Sequence, residues 1–121
     1  MPHIIVEYSN NIEEASLDVP GLLERLADVA VATGLFPEKG MRLRAYRADF
    51  QRVGAGHPEQ GFLHVGMKVG KGRTEAARQE AGATLFEAVK AHLSDAMSRQ
   101  TISLSLEMRE LDPVKFNYRN D

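Results

Sequence analysis

The sequence predicts an α/β protein, an α+β two-layer sandwich in which tandem β-α-β units form one four-stranded mixed sheet with two helices on one face. Three observations carry this expectation. Segments of apolar period two and of helical period follow one another in the order β-α-β, then β-α-β again. A joint from Gly54 to Gly61, with three glycines and Pro58, separates the two sets. The first strands of the two halves begin about sixty residues apart, and so do the second strands. The halves share almost no identity, so the repeat is architectural. A chain of 121 residues suits one domain, 1–121, with pseudo-repeats at about 1–53 and 61–112.

Each element has its own warrant. Residues 3 to 8 are a short apolar run that reads as a buried strand. Asp18 precedes Pro20, and Leu22, Leu23, Leu26, Val29 and Ala30 recur at helical spacing up to Gly34. That is a helix with an N-cap, a proline in its first turn and a glycine past its end. Pro37 and Gly40 mark a turn, and strand character resumes at Met41. Leu43 and Ala45 fall on one face there, with Arg42, Arg44 and Tyr46 on the other. After the joint, Leu63, Val65, Met67 and Val69 alternate with Phe62, His64, Gly66 and Lys68. Thr74 caps a long helix whose stripe runs through Ala81, Leu85, Ala88, Val89, His92 and Ala96. In the last strand Ile102, Leu104, Leu106 and Met108 alternate with Ser103, Ser105, Glu107 and Arg109. Each β-α-β unit implies parallel strands with a right-handed crossover. Helices on one face leave the other face with Ile, Tyr and Phe uncovered, which predicts an oligomer.

Composition excludes several classes of function. Hydrophobic residues make up 43% of the chain, with no apolar run near the ~20 residues that span a bilayer. No basic segment leads into an apolar stretch and a cleavage site, so the cytoplasm is the expected compartment. The absence of cysteine rules out disulfides, thiol nucleophiles and cysteine-ligated metals. A formal charge of −2 gives no support for nucleic-acid binding.

The start of the chain is the most suggestive chemistry. Methionine before a small residue is ordinarily trimmed, which would leave a free secondary amine on Pro2 at the head of a buried strand. An α-amine has a reference pKa of about 7.7–8.0, and burial or neighbouring cations lower it. Parallel pairing puts Arg42, at the start of the second strand, on the same sheet edge. Antiparallel pairing of the halves brings Val69-Gly70-Lys71-Gly72-Arg73-Thr74 to that edge as well. Amine, two guanidiniums and a helix N-terminus in one place suit a small dianion. Gly-Lys-Gly-Arg by itself lacks the full phosphate-loop pattern and is more often an ordinary turn. Arg44 and Arg47 read as a solvated strand face. His3, His57, His64 and His92 lack ligand spacing, so no metal site is expected. His64 reads as a packing or interface residue, and His92 as a hydrogen-bonded core histidine. No Ser/His/Asp set is recognisable.

Taken together, several motifs resemble the 5-carboxymethyl-2-hydroxymuconate isomerase family of the tautomerase superfamily. They are Pro2-His3-x-Ile5-Val6-Glu7-Tyr8-Ser9, Thr33-Gly34-Leu35-Phe36-Pro37 with Gly40-Met41-Arg42-x-Arg44, and Gly70-x-Gly72-Arg73. Leu104-Ser105-Leu106-Glu107-Met108-Arg109-Glu110-Leu111-Asp112-Pro113 near the end matches too, so the similarity runs in order over essentially the whole chain. The resemblance implies a tautomerase-like homotrimer acting on a dianionic or trianionic 2-hydroxydienoate, with no membrane or nucleic-acid partner. It implies Pro2 as acid–base catalyst, Arg42 and Arg73 as substrate-binding residues, and no metal or organic cofactor. It places the chain in breakdown of homoprotocatechuate. The alternatives are another tautomerase-superfamily activity on a keto–enol acid, or a non-catalytic trimeric binding module. The chain departs from the family pattern in its tail, Lys115 to Asp121, and by an extra residue near Ser16-Leu17-Asp18.

Overall fold

A computed structural model describes residues 2–121, so the expected removal of Met1 falls outside the described residues. Strand β1 (His3–Tyr8) leads through a single helical turn, α1 (Glu14–Leu17), into helix α2 (Val19–Ala32). A 3₁₀ turn at Glu38–Gly40 precedes β2 (Arg42–Arg47). After the joint come β3 (Gly61–Val69), helix α3 (Glu75–His92), a second helical turn α4 (Ser94–Met97) and β4 (Ile102–Glu110). Both expected caps form. Asp18, at φ 44°, accepts from Gly21 N, and Thr74 accepts from Ala77 N at 3.0 Å. Gly34 ends α2 in the left-handed region at φ 77°, where a side chain would be strained.

The sheet order is β2-β1-β3-β4, with β1–β2 and β3–β4 parallel and β1–β3 antiparallel. That is the expected mixed four-stranded sheet. Ile4, Val6 and Tyr8 of β1 and Leu63, Val65, Met67 and Val69 of β3 point into one core. Leu22 and Leu26 of α2 and Leu85 and Val89 of α3 cover them. Both long helices therefore lie on one face. Among the described residues no helix is long and apolar enough to cross a membrane.

Two local features differ from the expectation. The apolar stripe predicts one helix through Ala96, but α3 stops at His92 and Ala96 belongs to α4. Leu93, at φ −92° and ψ 7°, caps the break while its side chain stays fully buried. The turn α1 had no sequence signal. The open sheet face carries the residues that the alternation assigns to it. Ile5, Tyr46 and Phe62 are joined there by Glu7, Arg42, Arg44, His64, Lys68, Glu107 and Arg109, and His64 Nδ1 lies 2.6 Å from Ser105 Oγ.

Candidate active site at the β1–β2 edge

Register decides which groups meet. His3 stands opposite Arg42 on one side and Lys68 on the other. One residue earlier, the buried Pro2 accepts from Arg42 N at 2.9 Å, extending the β1–β2 ladder. Proline at the head of a strand loses nothing, because the ladder here uses its carbonyl. The starts of β1 and β2 and the end of β3 thus share one edge, and the loop from Gly70 to Arg73 leaves from it.

The two arginines singled out by sequence are held differently. Arg42 is exposed, and its Nη1 bends back to Lys39 O and Met41 O, both at 3.2 Å. Arg73 is half-buried. Its Nε and Nη2 donate to Leu35 O at 3.0 and 2.6 Å, and its Nη1 donates to Gly70 O at 2.9 Å. Its guanidinium also lies 5.1 Å from the centroid of the Phe36 ring. Arg73 therefore ties the loop after α2 to the loop before α3, and is oriented before any ligand arrives. Gly72, at φ 114°, supplies the left-handed turn that lets Arg73 face back across this edge.

Sequence reasoning assigned Arg44 to a solvated face. It is half-buried instead, and its Nη1 donates to His3 Nδ1 at 3.1 Å. Only the strand register could reveal this, since the two residues sit diagonally across neighbouring strands. Arg47 does reach solvent, paired with Glu14 at 2.8 Å. His92 is a hydrogen-bonded histidine, with Nε2 2.8 Å from Leu17 O. Among the described residues no three His, Asp or Glu side chains gather to hold a metal ion.

Ion pairing spares the cations of this edge. Arg42, Arg44, Lys68, Arg73 and Lys115 take no part in the ion pairs found among the described residues. Those pairs lie elsewhere, as in Arg47–Glu14, Arg99–Asp95 and Lys90–Glu87. Cations without ion-pair partners, three of which act together on His3, favour an anion at this edge in a chain of net charge −2.

The same cations act on His3. Burial, then the charges of Arg44, Lys68 and Arg42, hold its imidazole below the usual 6.5. The neutral ring accepts from Arg44, so protonation breaks a contact and adds a repulsion. Between the lowered folded value and 6.5 the unfolded chain binds the proton more readily, and stability rises with pH. Stability is accordingly expected to fall as pH drops through 6.5 and to level off below the folded value. His3→Gln should flatten this limb in urea midpoints measured from pH 7.5 down to 5. An unchanged slope would contradict the assignment.

Comparison with known proteins finds relatives in sequence and in fold. A model of the 5-carboxymethyl-2-hydroxymuconate isomerase family matches residues 2–121. The 5-carboxymethyl-2-hydroxymuconate Delta-isomerase of Escherichia coli is 40% identical over 114 residues, covering 94% of this chain and 90% of the relative. A crystal structure of a 5-carboxymethyl-2-hydroxymuconate isomerase from Deinococcus radiodurans R1 superposes with a TM-score of 0.89 at 30% identity. It covers 99% of this chain and 90% of the other. A fused 4-OT asymmetric trimer shares the fold at 15% identity, with a TM-score of 0.67 over 96% and 91% of the two chains.

Proposed function

Because the chain belongs to the 5-carboxymethyl-2-hydroxymuconate isomerase family, we propose that it converts that 2-hydroxydienoate into its 2-oxo-3-enoate, with Pro2 as the acid–base group. The reaction moves one proton. The amine of processed Pro2 takes it from the 2-hydroxyl, the electron pair shifts through the diene, and carbon 5 receives a proton from the ammonium. Arg42 and Arg73 bind carboxylates and the oxygen that gathers charge at carbon 2. The cations that hold the substrate also favour the neutral amine, so one set of residues serves both ends of the chemistry.

The observation that carries this reading is the cluster of cations without carboxylate partners around a buried strand start. Cations left without carboxylate partners favour the neutral form of a nearby amine, which a base working near neutrality requires. The assembly proposed is a homotrimer, supported by the open sheet face and by the trimeric fold relative. A single tautomerase-like unit spanning 1–121 and a cytoplasmic site of action complete the reading.

Ultraviolet spectroscopy tests it. The processed protein is expected to accelerate loss of the 5-carboxymethyl-2-hydroxymuconate absorbance far more than that of phenylenolpyruvate. Equal or absent acceleration of the two would overturn the assignment.

A further inference from the structure

We propose that Lys115, in the C-terminal tail, is a further substrate-binding cation that selects substrates carrying a third carboxylate; this rests on the functional reading above. The tail reaches the site through two local bonds. Leaving β4, Leu111 N donates to Val69 O at 2.7 Å, which keeps the chain beside the end of β3. Asp112 Oδ1 then accepts from Val114 N at 2.8 Å, and the Asp112-Pro113 turn carries the next residues over the loop before α3. A Cβ built on Gly70 would lie 3.6 Å from Lys115 Nζ and 3.7 Å from Arg73 Nη1. Both cationic heads therefore lie within 4 Å of one point, in space that the missing side chain of Gly70 leaves open.

Two like charges do not gather at such a point without cost. Among the described residues Lys115 forms no ion pair, although the chain has 17 acidic side chains to offer. Arg73 spends one N–H on each of Nε, Nη1 and Nη2, leaving one on Nη1 and one on Nη2 for a ligand. Lys115 brings three more donors. An anion placed between them would satisfy both heads.

The chemistry of the substrate supplies a match. 5-Carboxymethyl-2-hydroxymuconate has three carboxylates, two on the planar dienoate and one on a freely rotating methylene arm. A planar guanidinium fork suits the fixed carboxylates, and a point charge on a flexible stem suits the arm. Lys115 is exposed, so its substitution leaves the core untouched.

The test compares substrates with and without the arm. In Lys115→Gln the ratio of KM for 5-carboxymethyl-2-hydroxymuconate to KM for 2-hydroxymuconate is expected to rise roughly tenfold, between the worth of an exposed ion pair and that of a charge-assisted hydrogen bond. Lys115→Arg should restore most of that ratio. Calorimetry with propane-1,2,3-tricarboxylate and with glutarate gives a readout independent of turnover, and Lys115→Gln should weaken the first far more than the second. Equal shifts for both ligands, or none, would overturn the proposal. If the wild-type protein turned over neither dienol, the isomerase reading would fail, and the calorimetric comparison would still decide Lys115.

Discussion

Protein that retains Met1 is expected to ketonise 5-carboxymethyl-2-hydroxymuconate about 10²–10⁴-fold more slowly than processed protein, the usual worth of a positioned acid–base group. Retained methionine turns the Pro2 nitrogen into an amide, which has no basic lone pair. The fold has no reason to change, because the β1–β2 ladder uses Pro2 O and not its nitrogen. A loss of rate at constant stability would therefore isolate the amine. Pro2→Ala, once processed, restores an amine, but a primary one on a looser backbone, and belongs between the two forms. The pH dependence of kcat/KM in the processed protein should show a rising limb below the ~7.7–8.0 of an ordinary α-amine, because surrounding cations favour the neutral form. Mass spectrometry of each sample establishes which terminus was assayed. Equal rates for the methionylated and processed forms would remove Pro2 from the mechanism.

Much of this edge could be read before any coordinates, because period-two patterns specify faces and β-α-β order specifies direction. Leu63, Val65, Met67 and Val69 declared the core face of β3, and all four are fully or almost fully buried. Asp18 and Thr74 declared the helix starts through cap chemistry that is local and so legible. Parallel and antiparallel pairing then brought Arg42 and the Gly70–Arg73 loop to the end where Pro2 lies. What sequence could not show depends on contacts distant along the chain. Arg44 meets His3 across 41 positions and Arg73 meets Leu35 O across 38. No periodicity encodes either meeting. The turn α1 is too short to leave a stripe, and a four-residue helix owes its existence to what it packs on. Lys115 was equally illegible, since its place follows from the bond between Leu111 and Val69 and from a tail without alternation into any core.

The contrast between Arg73 and Arg42 gives the other large expected effect. Arg73→Ala removes three hydrogen bonds to Leu35 O and Gly70 O and the contact over Phe36. Untying the two loops should cost about 1–3 kcal/mol in denaturant unfolding, the scale of charge-assisted hydrogen bonds in a half-buried site. It should also lower kcat/KM by about 10²–10³, as loss of a preorganised donor at a developing oxyanion does. Arg42→Ala loses only contacts to the neighbouring carbonyls of Lys39 and Met41 on an exposed side chain, so its stability should barely change while KM rises. Arg73→Lys separates charge from geometry. It keeps the cation but cannot hold Leu35 O and a substrate carboxylate with one planar fork, so it should recover part of KM and little of the stability. A variant Arg73→Ala that lost stability yet kept its kcat/KM would reduce this residue to a strut between loops. The anion site would then have to be built from Arg42 and its other neighbours alone.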